Sequence, residues 1–311
     1  MLYAIVNLLL PIAVVLFLGA FGKRKGWLTA EGMDVFKSVI GNILLPLILF
    51  NAMFTAEYSV SAIITILIVF AGMCVSLAIG FFLKRLFPSF GKYLPFMIST
   101  CESGMLGYPL IAMLFGDDGT RSFAMADLPH TVFFFAVALT LLQITDGLRP
   151  SAPAIVKNIF TALPFDGMLL GMALGLLGVD TLLQKTPVWG TYTTLISFVT
   201  APTTVLVLLF LGYSLSLKKE TLRPVVVTSL LRLAVMGAVA ALVSFIVFCL
   251  VPFSKPLLFS ILLVFLLPPS FSVPVFSRLT GSEEYVSTTI SFSTILTLLV
   301  FAVMAVFAYA G

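Results

Sequence analysis

Long apolar segments separated by short polar turns run along the whole chain. Most are close to the roughly 20 residues that an α-helix needs to cross a bilayer, and they lack the alternating polarity of a transmembrane β-strand. Turn residues and charges divide the sequence into ten such segments: Leu2–Gly22, Val35–Thr55, Val60–Leu83, Tyr93–Phe115, Ser122–Thr145, Phe165–Gly178, Tyr192–Leu217, Pro224–Val251, Pro256–Leu279 and Tyr285–Ala310. The pattern predicts an all-α membrane protein with ten transmembrane helices.

The composition points the same way. Of the 311 residues, 60% are hydrophobic and only 10% are charged, whereas soluble domains carry about 25% charged residues. Neither a soluble globular protein nor a disordered chain has this balance. The three cysteines, Cys74, Cys101 and Cys249, all lie in apolar segments, and their odd number and spacing predict neither a disulfide framework nor a metal site.

The basic residues concentrate in alternate loops. One set of loops and flanks holds Lys23, Arg24, Lys25, Lys37, Lys84, Arg85, Lys92, Arg149, Lys157, Lys218, Lys219, Arg223 and Arg278, and the other set holds only Arg121, Lys185 and Lys255. Because loops rich in Lys and Arg face the cytoplasm, both termini are predicted to lie outside. The net charge of +4 is therefore interpreted as membrane topology, not as a surface for nucleic acid.

The longest connection, Asp146–Pro164, divides the chain into residues 1–150 and 151–311, each with five segments. Two similar halves with an odd number of spans must lie upside down relative to each other. This is the inverted-repeat plan of many secondary transporters.

The fourth and ninth segments occupy corresponding places in the two halves, and both contain helix breakers near their middle. The fourth carries Gly104, Gly107 and Pro109, and the ninth carries Pro268, Pro269 and Pro274. Unwound backbone in a bilayer is tolerated where it faces protein or a water-filled cavity. We therefore expect two broken helices whose half-helix N-termini suit an anionic ligand. The alternative interpretation is that these residues only produce ordinary helix kinks.

These segments also resemble the auxin efflux carrier family of transporters, which includes bacterial carriers of malonate and related carboxylates. Glu102-Ser103-Gly104-Met105-Leu106-Gly107-Tyr108-Pro109 is similar to the family's Asn-Thr-Gly-Phe-Leu-Gly-Leu-Pro, and Pro268-Pro269-Ser270-Phe271-Ser272 to its Pro-Pro-Ala-Val-Asn. Gly22-Lys23-Arg24-Lys25-Gly26-Trp27-Leu28, Ala201-Pro202 and Leu211-Gly212-Tyr213-Ser214-Leu215 extend the resemblance over nearly the whole chain.

The resemblance implies a ten-span inverted repeat of the bile acid and auxin carrier type, in which spans 4 and 9 cross where they unwind. It also implies substrate bound beside the crossing, a place in the bacterial inner membrane, and allows a homodimer. The family's paired asparagines are Glu102 and Ser272 here, and Pro274 is an additional breaker. The candidate substrate-binding residues are Asn42, Glu102, Ser103, Gly104, Gly107, Tyr108, Pro109, Thr203, Ser270, Phe271, Ser272 and Pro274.

Three ionisable residues are candidates for ion coupling: Glu102, Asp127 and His130. Glu102 lies about ten residues into its span and so near the bilayer centre, where a carboxylate is costly and a functional role is the default. A protonated glutamic acid that only locks the crossing is the alternative. Asp127 and His130, the sole histidine, share one helix face and could relay protons. Alternatively, Asp127 is solvated in the outer vestibule and His130 is a packed polar residue. Arg232 is interpreted as snorkelling or structurally paired, with attraction of an anion as the alternative.

Taken together, the sequence predicts a secondary carrier of small organic anions that works by alternating access. The alternatives are a sodium-coupled symporter of bile-acid type and a sensor built on a carrier fold. A membrane enzyme would need a nucleophile with a base or a metal cluster, and no such motif is present. No cofactor is expected; the coupling ion is H⁺, Na⁺ or none, with H⁺ favoured by Glu102 and His130.

The topology makes a direct prediction. Alkaline phosphatase fused after Gly311 should be active, because that enzyme folds only outside the cytoplasm, and the same reporter fused after Lys219 should be inactive. Activity measured on intact cells decides, and an inactive fusion at Gly311 would contradict the ten-span count.

Overall fold

The computed structural model describes residues 2–87, 91–147, 151, 153, 163–216, 222–271, 273 and 283–310. Within these residues the chain folds into helices joined by short turns, without a β-strand. Six helical stretches in this part of the chain are long and apolar enough to cross a membrane: Ala30–Phe54, Val60–Leu86, Leu94–Thr145, Val188–Ser214, Leu222–Leu250 and Glu284–Tyr309. The predicted all-α class and the membrane-spanning character are thereby confirmed.

The first three apolar segments form α1 (Leu2–Lys25), α2 (Ala30–Val39), which continues through a π-helical turn at Ile40–Leu44 into α3 (Leu45–Phe54), and α4 (Val60–Leu86). Side-chain caps set two of the starts. The hydroxyl of Thr29 accepts a hydrogen bond from the amide of Gly32, and that of Ser59 accepts one from Ala62. Each cap satisfies an amide that has no partner inside its own helix.

The fourth and fifth segments follow each other without a loop. They comprise α5 (Leu94–Ser99), a π-helical turn at Ser103–Gly107, α6 (Tyr108–Phe133), a second π-helical turn at Phe134–Ala138, and α7 (Leu139–Thr145). A continuous helix from Leu94 to Thr145 would be about 78 Å long, more than twice the thickness of a bilayer core. Gly116 interrupts α6 with a φ of 56°, which favours glycine.

Contacts across the Gly116 break show that the two parts run antiparallel. The Tyr108 ring packs edge-on against Phe123, with centroids 4.8 Å apart. At the far end, the Lys92 ammonium binds the carboxylate of Asp146 at 2.5 Å, and this hydrogen bond raises the pKa of Lys92. The stretch is therefore a helical hairpin that turns at Gly116, where the sequence predicts two segments separated by a loop.

The second half comprises α8 (Leu163–Leu176), α9 (Val179–Leu183), α10 (Val188–Thr200), α11 (Thr203–Ser214), α12 (Leu222–Leu250), α13 (Lys255–Leu266) and α14 (Glu283–Ala310). Pro202 separates α10 from α11. Proline suits a helix start because its missing amide proton would have no helical partner there. Beyond the end of α13, Leu267 is extended, with a ψ of 156°.

The helices pack in two groups. In the first, α3 lies against α8 and α1 lies against α11; in the second, α4, α5, α6, α12 and α13 contact one another. Glycines allow the close approach in the first group. A Cβ at Gly171 of α8 would lie 2.3 Å from the carbonyl oxygen of Phe50, and one at Gly212 of α11 would lie 2.1 Å from that of Leu16. Small residues of this kind are the usual means by which membrane helices bring their backbones together.

Gly171→Ala should therefore destabilise the protein, because the added methyl group overlaps backbone that cannot move aside. We expect a cost of about 1–3 kcal/mol, measured as a lower melting temperature of the purified protein in detergent. Gly190→Ala is the matched control, since a Cβ at Gly190 meets no atom of the described residues within 4 Å. Equal melting temperatures for the two variants would contradict the close packing of α3 and α8.

Candidate functional site

The two segments that carry helix breakers lie against each other where they unwind. The chain is non-helical at Thr100–Glu102, after α5, and at Leu267–Ser270, after α13. We call these two stretches with Phe271 the crossover. Unwinding leaves backbone amides and carbonyls without their helical partners, and in a bilayer each of them must be paired within the protein.

Hydrogen bonds between the two segments provide part of this pairing. The amide of Glu102 donates to the carbonyl of Pro268 at 2.9 Å. The amide of Ser270 donates to the hydroxyl of Thr100 at 3.2 Å, and that hydroxyl donates onward to Phe96. Each broken segment therefore provides a hydrogen-bond acceptor for a backbone amide of the other.

The carboxylate of Glu102 joins the two segments a second time. Its Oε2 accepts the amide of Phe271 at 2.8 Å, and its Oε1 caps the helical turn that begins at Ser103 by accepting the amide of Met105 at 3.5 Å. A negative charge at the start of a helix is stabilised by the partial positive charge there. Glu102 thus stands where an anionic ligand of this helix end would bind.

Arg232 of α12 also reaches the crossover. Its guanidinium donates to the carbonyls of Met97, Ile98 and Leu267, at the ends of α5 and α13. The residue is 4% exposed, so it is not a snorkelling side chain, and structural pairing is the interpretation that the structure supports.

Asp127 and His130 form a buried network with the second half of the broken helix. The hydroxyl of Tyr108 donates to Asp127 at 3.0 Å, and Nδ1 of His130 lies 3.1 Å from Asp127 and 3.2 Å from the hydroxyl of Ser103. Asp127 is 2% exposed and therefore is not solvated in a vestibule. With Nδ1 shared between these groups, the buried Nε2 of His130 has no hydrogen-bond partner in the described part of the chain.

A cavity of about 290 Å³, which we call the upper cavity, lies against the second half of the first broken helix. Tyr108 and Pro109, at the start of α6, and Thr203, at the start of α11, line it together with Asn51 and Arg121. Arg121 also forms an ion pair with Asp118. Three candidate substrate-binding residues thus share one cavity with a basic side chain.

A second cavity, the lower cavity, measures about 260 Å³ and is lined by Phe271 of the crossover, Lys37 of α2, Ser214 of α11 and Ser287 of α14, among others. Lys37 and Thr55, which lines the upper cavity, are separated by about 27 Å along the span α2–α3. The two cavities therefore lie at different levels along this span.

Of the other candidates, Ser103 and Ser270 are buried at the crossover. Gly107 is closely packed, because a Cβ there would lie 2.2 Å from the Phe123 ring, and Gly104 is partly exposed one turn before it. Asn42 lies apart: it is exposed, bonds to Ser38, and is not among the residues that line either cavity. Ser272 and Pro274 lie outside the described residues.

Sequence reasoning overlooked several residues at this site. Thr100 lies in the broken segment near Glu102. A hydroxyl group next to helix breakers is the sequence signal that indicates a partner for unwound backbone. In the sequence, Lys37 and Arg121 indicate only membrane topology, although Lys37 falls within a predicted apolar segment. The sequence predicts a break between Phe115 and Ser122, but that Arg121 lines a cavity depends on how the helices around this turn pack, which no local pattern reveals.

Comparison with known proteins supports a transport role. The chain is 24% identical over 244 residues, or 76% of its length and 77% of the relative's, to a protein of Methanothermobacter thermautotrophicus named an uncharacterized transporter. No family model matches the chain.

The bond between Thr100 and Ser270 is open to test with a matched pair of variants. Thr100→Val keeps the shape but removes the acceptor at a buried position, with an expected cost of about 1–3 kcal/mol. Thr100→Ser keeps the hydroxyl and should retain most of the stability. Thermal unfolding of the purified variants measures both; if valine is tolerated as well as serine, the hydroxyl does not hold the crossover together.

Proposed function

We propose that the protein is a secondary active transporter that carries small organic anions across the membrane by alternating access. Its membrane-spanning helices and its similarity to a protein named a transporter support the general class. The observation that carries the specific proposal is a crossover of two broken helices with two cavities next to them, one lined by Tyr108 and Pro109 of the first broken helix and the other by Phe271 of the crossover. Such crossings are where carriers with discontinuous helices bind their substrates.

The proposed architecture is the ten-span inverted repeat of the auxin efflux carrier type, with residues 1–150 and 151–311 as its halves. In such a repeat, spans 1 and 6 correspond, as do spans 2 and 7. The two close helix pairs fit this relation, since α1 with α11 is span 1 on span 7, and α3 with α8 is span 2 on span 6. The upper and lower cavities are likewise lined by corresponding elements of the two halves.

Both cavities lie between the two helix groups. In the upper cavity, Asn51 and Thr203 come from the first group and Tyr108 from the second; in the lower cavity, Lys37 and Ser214 face Phe271. A rocking motion of one group against the other would widen one cavity while closing the other. Alternating access requires this relation between two cavities and a central site.

The chemistry of the cavities favours a small anion as substrate. Each cavity is lined by one basic residue, Arg121 in the upper and Lys37 in the lower, together with hydroxyl groups, and Asp117 also lines the upper cavity. Their volumes, about 290 and 260 Å³, lie just below the roughly 300–1,000 Å³ of sites for drug-sized ligands. A carboxylate such as malonate or a related acid, or an auxin-like weak acid, fits these conditions better than a bile acid.

Glu102 supplies a mechanism for proton coupling. Its carboxylate occupies the amides of Phe271 and Met105, which a substrate carboxylate would also seek. Protonation weakens Glu102 as an acceptor and removes the repulsion between two carboxylates, so that substrate and proton bind together. Unloading of the proton then restores the bond between Glu102 and Phe271.

The buried network beside Glu102 offers a path for the proton. Tyr108 lines the upper cavity, and Asp127, His130 and Ser103 continue from it by hydrogen bonds to the residue next to Glu102. His130 can accept a proton at its unpartnered Nε2, with Asp127 stabilising the charged imidazole. We assign Asp127 and His130 to proton transfer and Glu102 to the competition with substrate.

Uptake of radiolabelled malonate and other short carboxylates into proteoliposomes tests the proposal. Accumulation should occur without ATP and should increase when an inward proton gradient is imposed. Substrate-dependent thermal stabilisation without any flux would instead indicate a sensor, and flux that requires Na⁺ would indicate a symporter of bile-acid type.

The matched variants Glu102→Gln and Glu31→Gln test the coupling. Glutamine at position 102 mimics the protonated acid, so exchange of internal for external substrate should persist while acceleration by the proton gradient is lost. The same change at Glu31, which is exposed at the start of α2, should leave both activities intact. Full gradient-driven accumulation by Glu102→Gln would rule out the proposed role of Glu102.

A further inference from the structure

Arg232 pairs with the carbonyl groups that the helix breaks leave open. In an uninterrupted helix, the carbonyl of residue i accepts the amide of residue i+4. The carbonyls of Ile98 and Leu267 would then accept the amides of Glu102 and Phe271. Those two amides are committed elsewhere, to Pro268 and to the Glu102 carboxylate, so both carbonyls lack their helical partners.

The guanidinium group fits this set of acceptors. Nη1 donates to Met97 at 2.8 Å and to Ile98 at 2.5 Å, while Nε and Nη2 donate to Leu267 at 3.2 Å and 2.5 Å. A planar fork with five N–H groups can bridge two helix ends in this way, whereas a lysine ammonium is a single point charge. The side chain thus ties α5 and α13 to α12.

Within the described residues, Arg232 has no acidic partner at ion-pair distance. Its charge is balanced instead by the carbonyl oxygens at the C-terminal ends of α5 and α13, which carry partial negative charge. An arginine remains protonated in proteins. A permanent cation is therefore held by an arrangement of backbone oxygens at the crossing of two broken helices.

In sodium-coupled carriers with broken helices, unwound carbonyls and half-helix C-terminal ends are the groups that coordinate Na⁺. Here carbonyls of the same kind bind the guanidinium group of Arg232, a cation that is covalently part of the chain. We propose that Arg232 is a built-in cation of the crossover, so that the protein binds no Na⁺ there and its transport cycle does not use Na⁺. This inference rests on the proposed carrier function and defines its ion dependence.

The inference complements the role assigned to Glu102. Glu102 accepts hydrogen bonds from amides of the broken segments, and Arg232 donates to carbonyls at the ends of α5 and α13. A tethered cation cannot leave with the substrate, so it can position the site but cannot drive accumulation. The driving force must then come from protons at Glu102 or from the gradient of the substrate itself.

The first test uses the unmodified protein. Replacing Na⁺ by N-methyl-D-glucamine at constant ionic strength should change neither the melting temperature nor the rate of carboxylate exchange in proteoliposomes. A loss of exchange of roughly tenfold or more on removing Na⁺ would overturn the proposal, as would stabilisation of the unmodified protein by Na⁺ alone.

The second test removes the tethered cation. Arg232→Ala leaves several carbonyls without a donor and should lower the melting temperature by roughly 5 °C or more. Millimolar guanidinium or Na⁺ should then stabilise the variant, because small cations can enter the vacated position, and N-methyl-D-glucamine should not. Equal stabilisation by all three cations, or by none, would count against a cation site.

Arg24→Ala is the matched control, since Arg24 is an exposed arginine in the last turn of α1. It should show no cation-specific stabilisation. If Arg232→Ala does not fold, Arg232→Lys keeps a tethered charge with poorer geometry, and it should melt below the unmodified protein and remain insensitive to Na⁺. Stabilisation of Arg232→Lys by Na⁺ would overturn the proposal.

The stability measurements need no substrate and therefore separate the two proposals. Cation-specific rescue of Arg232→Ala with no carboxylate flux under any condition would refute the carrier function and leave the cation site standing. Flux without any cation-specific rescue would refute the built-in cation and leave the carrier function standing.

Discussion

Every backbone amide and carbonyl in a bilayer core must be paired within the protein, and the rest of this structure depends on how that demand is met where two helices break. The break after α5 and the break after α13 lie against each other, and each donates to groups of the other. Glu102 and Arg232 pair with amides and carbonyls that backbone and hydroxyl contacts leave open. Without these two charged side chains, the crossover would expose unpaired polar groups at a cost of several kcal/mol each.

The same two charges make the crossover a candidate site for function. A carboxylate at a helix start and a guanidinium at two helix ends occupy the positions in which substrate anions and coupling cations are held in other carriers. In the proposed mechanism the carboxylate can be displaced, because a proton neutralises it, whereas the guanidinium cannot. In this mechanism the part of the site around Glu102 changes during transport, whereas the part around Arg232 keeps its geometry.

Close packing inside the helix groups and open volume between them suit such a mechanism. The glycines of α8 and α11 bring helix backbones into direct contact, so the first group resists internal deformation. The cavities lie at the boundary between the groups, where side chains such as Asn51, Thr203 and Lys37 leave open volume. Motion along that boundary disturbs fewer close contacts than motion inside either group.

The sequence by itself determined the all-α membrane class, most helix positions and the two broken segments, because these depend on local properties: apolar length, turn residues, and prolines that cannot continue a helix. It also singled out Glu102, Asp127 and His130 as charges that are costly in a bilayer. Only the tertiary structure decided what these groups contact. Arg232 acts on residues about 135 and 35 positions away, and the turn at Gly116 brings Ser103 to His130. Such pairings depend on how helices distant in sequence cross, which no local pattern encodes.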